Sequence, residues 1–163
     1  MERRDKINYY LDIAETVSQR STCIRRIYGA VIVKNDEIIS TGYVGAPRGR
    51  VNCTDIHYCI REKLAVPRGE RYELCRSVHA EMNAIISAPR EKMLGAALFL
   101  VGFEMPSRTY VKNASSCSMC KRTIINAGIA TVYIRDDADS YRVIDVQKEW
   151  VERDESLEGI RGY

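Results

Sequence analysis

The chain has 163 residues, of which 45% are hydrophobic and 29% charged, an ordinary composition for a globular protein with a core of its own. Its 25 Lys and Arg nearly balance 22 Asp and Glu, and the net charge of +3 is too mild to make a nucleic-acid polymer the expected partner. No apolar run approaches the roughly 20 residues that span a bilayer, and none follows Met1-Glu2-Arg3-Arg4 to act as a secretory signal, so the expected location is the cytoplasm.

One domain is expected over 1–163. Residues 7–20 carry Ile7, Tyr10, Leu11, Ala14 and Val17 at helical spacing. Residues 30–43 read as two β-rich runs around Asn35-Asp36, a hairpin. Residues 44–76 form a long irregular insertion rich in Gly, Pro, Arg and Cys, and a stretch of that length is expected to be functional or tied down. Residues 78–88 predict a helix stopped by Pro89. A buried strand follows over 96–102, then a polar loop over 103–116. A second helix runs from Ser118 to Ala127 with Gly128 as its C-terminal cap, and a strand over 129–135 comes next. The tail is charged, with Val143, Ile144, Val146 and Trp150 as apolar anchors. The two strands that follow helices can lie parallel. The order α-β-β-α-β-α-β then gives an α/β fold, a three-layer α/β/α sandwich around a mixed sheet.

The chemistry is concentrated in His79-Ala80-Glu81 and Cys117-Ser118-Met119-Cys120. Zinc favours Cys and His in a tetrahedral set, and a catalytic site keeps one position for water. His79, Cys117 and Cys120 supply three such ligands at two predicted helix starts, where the positive helix end favours thiolate over thiol. Glu81 lies two residues after a ligand, so it projects from another helix face and is free to move a proton. An H-x-E joined to a downstream C-x-x-C is the pattern of zinc deaminases. The bland alternatives are a closed zinc knot with Cys75 or His57 as fourth ligand, and buried thiols beside a core histidine.

On these residues the chain resembles the cytidine/deoxycytidylate deaminase superfamily, most closely the deoxycytidylate deaminases. The resemblance spans about 7–135 and rests on RSTCIRRIYGAVIVKNDEIISTGYVGAPRG, GERYELCRSVHAEMNAII and SCSMCKRTIINAGI. It implies a cytidine-deaminase-like fold, zinc on His79, Cys117 and Cys120, and hydrolysis of dCMP to dUMP and ammonia for thymidylate synthesis. Glu81 would protonate N3 and pass the proton to the leaving amine. The Ala80 backbone N–H would meet the base carbonyl, and the Ser115 carbonyl the amine. Homo-oligomers are usual in the family, and some members respond to dCTP and dTTP. Two positions depart from the pattern. Ser116 stands where proline usually precedes the first zinc cysteine, and serine is a good N-cap. Val44 stands where the family often has an Asn that contacts the nucleotide, which valine cannot do.

Cys23, Cys53, Cys59 and Cys75 remain. The resemblance implies a second, structural zinc involving Cys23 and Cys53, with His57 able to replace a cysteine; free buried thiols are the alternative. For a phosphate the arginine candidates are Arg25, Arg26, Arg48, Arg90 and Arg122, and Tyr141 is a candidate to stack on a substrate. The competing functions are a deaminase acting on another cytosine nucleotide or on nucleic acid, and a non-catalytic zinc-binding accessory protein.

Overall fold

The computed structural model describes residues 1–158. Helix α1 (Lys6–Ser18) is started by Asp5, whose carboxylate accepts the Asn8 N–H at 2.9 Å. Strands β1 (Arg26–Lys34) and β2 (Glu37–Tyr43) form the expected hairpin. Asn35 and Asp36 both adopt positive φ, the geometry a tight two-residue turn requires. The insertion is less irregular than its composition suggests. It contains one-turn helices α2 (Cys53–Ile56) and α3 (Ile60–Lys63) and a 3-10 turn at Tyr72–Leu74. Helix α4 (Ala80–Ile86) and a single turn, α5 (Arg90–Met93), precede β3 (Ala97–Glu104) and the short β4 (Thr109–Tyr110). Helix α6 (Ser118–Ala127) ends on Gly128 in the left-handed region, as expected. Strands β5 (Thr131–Arg135) and β6 (Tyr141–Asp145) follow, then a π-helical segment at Gln147–Glu152.

The strands form one six-stranded mixed sheet in the order β2-β1-β3-β5-β6, with β4 pairing β3. β3 and β5, the two strands that follow helices, are the parallel pair. β6 was not expected. It is an edge strand that pairs antiparallel with β5 from Thr131↔Asp145 to Arg135↔Tyr141.

The two-residue alternation of the strands divides the core. Ile27, Val31, Val33, Phe99, Val101 and Phe103 face α1 with Tyr10, Leu11 and Ala14. Ala30, Ile32, Leu98, Leu100, Val132 and Ile134 face α4 and α6. Two glycines let the helices approach closely. A Cβ at Gly29 would lie 2.0 Å from the Ala14 carbonyl oxygen of α1, and one at Gly42 would lie 2.3 Å from both the Ala80 oxygen and the Ala84 nitrogen of α4. Among the described residues no helix is long and apolar enough to cross a membrane.

Candidate active site

Helix α4 is held on β2 by three contacts. Gly42 gives it room, Ser40 Oγ donates to the Ala84 carbonyl at 2.6 Å, and Asn83 Nδ2 donates to the Tyr43 carbonyl at 2.8 Å. Just before the helix, Val78 and Gly45 exchange backbone hydrogen bonds at 2.7 and 3.2 Å. His79 is therefore fixed as the N-cap of α4, one step outside the first turn where the sequence placed it.

Across the site, Cys117 is the N-cap of α6 and Cys120 lies fully buried in its first turn. This corrects the expectation for Ser116, which sits buried one residue before the cap. The approach to Cys117 is tied down by Arg142 on the unforeseen strand β6, whose Nη2 donates to the Ala114 carbonyl at 2.6 Å.

His79 Nδ1 lies 3.4 Å from the Sγ atoms of both Cys117 and Cys120, and all three ligand atoms fall within 4.8 Å of one another. Bonds of about 2.3 Å to sulfur and 2.0 Å to nitrogen at a tetrahedral angle set sulfur and nitrogen roughly 3.5 Å apart. The donor set fits zinc. Without a cation the cluster holds its charge internally. The Cys120 thiol and His79 push the Cys117 thiol down, while the Cys117 thiolate and burial push Cys120 up. Burial alone would lower the His79 imidazole, but the sulfurs of Cys117 and Cys75 and the Glu81 charge raise it to about 11. A zinc ion would take the place of those protons.

Glu81, the second residue of α4, is 5% exposed. Burial pushes its carboxyl above the usual carboxylate range, partly opposed by His79. It shares with His79, Cys117 and Ser115 the wall of one open pocket. Ser115 is exposed on the wall, whereas Ala80 is fully buried. Val44 is a buried, apolar part of the wall. Tyr72 meets the His79 ring edge-on with centroids 5.3 Å apart.

Of the arginine candidates, Arg25 and Arg26 border this pocket. Arg48 is exposed elsewhere, and Arg90 and Arg122 line a separate groove between α4 and α6. Arg61 and Arg68 of the insertion also border the pocket and were missed, because nothing local distinguishes them from surface charge. Tyr141 packs against Tyr133 on the α1 face, away from the site.

No disulfide joins the remaining cysteines. Cys23, Cys59 and Cys75 come near enough to Cys53 to act on its ionisation, and burial pushes that thiol up. Among the described residues they do not converge as His79, Cys117 and Cys120 do. Cys75 stands near His79 but outside its ligand group, and His57 is exposed at the end of α2.

Three zinc ligands beside a buried acid, with His79, Cys117 and Glu81 lining one pocket, define a hydrolytic zinc centre. Residues 4–135 match the family described as the cytidine and deoxycytidylate deaminase zinc-binding region. The chain is similar to a deoxycytidylate deaminase of Mycobacterium phage D29, at 36% identity over 137 residues, covering 81% of this chain and 95% of that protein. It is similar to the ComE operon protein 2 of Bacillus subtilis, at 28% identity, covering 99% of this chain and 79% of that protein. Among solved structures it resembles the dCMP deaminase of cyanophage S-TIM5 in complex with dCMP and dUMP, with a TM-score of 0.54 and 28% identity, covering 82% of this chain and 84% of that one. The chain belongs to the zinc-binding cytidine and deoxycytidylate deaminase family.

Proposed function

We propose that the chain is a deoxycytidylate deaminase, which adds water at C4 of dCMP and releases dUMP and ammonia. His79, Cys117 and Cys120 would hold zinc, which when bound lowers the pKa of a coordinated water to about 7. Glu81 is the proton carrier. It accepts one proton from the attacking water and delivers it to N3 of the base, then takes the second from the hydroxyl now on C4 and gives it to the departing amine. A carboxyl raised by burial suits a group that must both accept and donate near neutral pH. The Ala80 N–H and the Ser115 carbonyl orient the base at its carbonyl and amine. Val44 closes the pocket with an apolar surface and excludes water there.

The observation that carries this reading is Glu81, a buried acid beside a zinc-competent triad on the floor of an open pocket. The named relatives and the dCMP- and dUMP-bound neighbour support the choice of substrate. Residence in the cytoplasm, one domain with an insertion, and homo-oligomeric assembly belong to the same proposal. The test is a panel of cytosine, deoxycytidine, dCMP, dCTP and a cytosine-containing oligonucleotide with the zinc-loaded protein, followed by loss of the cytosine absorbance band and release of ammonia. Turnover highest on dCMP supports the reading. Turnover of an oligonucleotide alone, or of nothing with zinc present, contradicts it.

A further inference from the structure

Four arginines border the pocket, and they differ in one respect. Arg25 Nε is paired with Glu62 at 2.8 Å, and Arg26 Nη2 with Glu104 at 2.6 Å. Neither Arg61 nor Arg68 has a carboxylate partner among the described residues.

Arg61 is the more unusual of the two. The residue is 6% exposed, and its charge acts on the nearby Glu73 carboxylate without closing an ion pair with it. It is nonetheless held rigidly. Nη2 donates to the carbonyls of Pro67 and Glu70, and the guanidinium lies over the Tyr72 ring, 4.3 Å from its centroid. Nε is buried and has no hydrogen-bond partner. Arg135 on the other face of the sheet keeps its Nε unpartnered too, so what sets Arg61 apart is a place on the pocket wall with no carboxylate paired to it. The same two carbonyl contacts curl residues 67–70 so that Arg68, next to Gly69 at φ +82°, stands exposed on the rim. Tyr72 touches both Arg61 and His79, lying under the guanidinium of the first and packing T-shaped on the ring of the second. One aromatic ring therefore links the cation to a metal ligand across the same pocket wall.

We propose that Arg61 and Arg68 are the specificity-determining residues that take the 5′-phosphate of a nucleoside monophosphate, Arg61 as a preset anchor and Arg68 as the rim contact. The insertion, not the strand arginines, then makes the enzyme a nucleotide deaminase rather than a nucleoside deaminase. Planar guanidinium groups suit a phosphate dianion because they offer parallel N–H donors. The inference rests on the dCMP reading above and deepens it.

The test uses the zinc-loaded protein and the products dUMP and deoxyuridine, which bind without turnover, with both affinities measured by calorimetry. Wild type is expected to prefer dUMP. Losing a hydrogen bond to a charged group commonly costs about 10- to 100-fold in affinity. Arg61→Gln is expected to reduce the dUMP preference by that order, Arg68→Ala by about 10-fold, and Arg61→Lys by less than Arg61→Gln. A purely structural Arg61 would weaken both ligands together and leave their ratio unchanged. That result, with Arg68→Ala also leaving the ratio at its wild-type value, overturns the proposal. So does a ratio that collapses in Arg25→Gln instead, or one that persists while binding of inorganic phosphate or dCTP is lost. Arg68 is exposed, so its variant decides the matter if Arg61→Gln does not fold. Failure of the deaminase reading itself looks different: neither product binds and no cytosine substrate turns over.

Discussion

The molecule buries two polar clusters, one on each face of its sheet, and they are built on opposite principles. On the α1 face Arg135, 2% exposed, is surrounded by acceptors. It meets Asp12 at 2.8 Å, Glu15 at 2.9 Å and the Asn8 side chain at 3.0 Å, while Arg4 ties Asp12 to Asp139. Positive charge there is closed by negative charge, and aromatic packing seals it, with Phe99 stacked on Tyr133 at 4.8 Å. On the α4 face two sulfurs, an imidazole and a buried carboxyl converge on one point beside an open pocket. Arg61, which borders that pocket, has no carboxylate within ion-pair distance among the described residues, although both it and Arg135 keep a buried Nε without a hydrogen-bond partner. A charge closed by opposite charges of its own chain holds the fold together. One left without them beside a pocket is shaped for a ligand.

That contrast can be tested by perturbing each face in turn. The largest effect is expected at a ligand. Cys120→Ala should abolish both zinc content and deamination, measured by metal analysis and dCMP turnover on the same sample. Next come the two close-approach glycines. Gly42→Ala places a methyl against the Ala80 oxygen and Ala84 nitrogen, so it moves the helix that carries His79 and Glu81. A displacement of about 1 Å in a catalytic group can cost on the order of 100-fold in rate. Gly29→Ala strains α1 instead, and overpacking of this kind costs about 1–3 kcal/mol of stability. Turnover by the folded fraction should stay unchanged. Equal losses of activity in the two variants would contradict the division between the faces.

Arg135→Met should lower the urea-unfolding free energy by about 2 kcal/mol, less than the 3–5 of a fully buried pair, because its acidic partners are partly exposed. The smallest effect is the pH dependence of that network. Burial works to raise the Asp12 carboxyl, but Arg4 and Arg135 outweigh it and hold it below its usual 3.8. Stability from this group is complete above pH 3.8 and is lost as pH falls through the lower folded value. Acid unfolding should therefore be shallower in Arg135→Met than in wild type.

Local signals carried the parts of the fold that local forces decide. The stripe of Ile7, Tyr10, Leu11 and Ala14, the Asn35-Asp36 turn and the Gly128 cap all lie where the sequence places them. The motif residues meet because two caps, His79 and Cys117, face each other across α4 and α6. Strand β6 was illegible because it exists through pairing with β5 along a half-exposed edge, and strand preference depends on such context. The short helix α2 was readable in part, since Asn52 and Asp55 form a capping pair. Arg61 was hidden for a different reason. Its value lies in a carboxylate it lacks, and only the folded chain shows that Arg25 and Arg26 have theirs.

The most direct measurement is dCMP turnover by zinc-loaded Glu81→Gln, with metal content determined on the same preparation. Removing a group that carries protons in the reaction costs about 10²–10⁴-fold, so the account predicts full zinc occupancy with a loss of that size. A variant that keeps its zinc and turns over dCMP at close to the wild-type rate would contradict it.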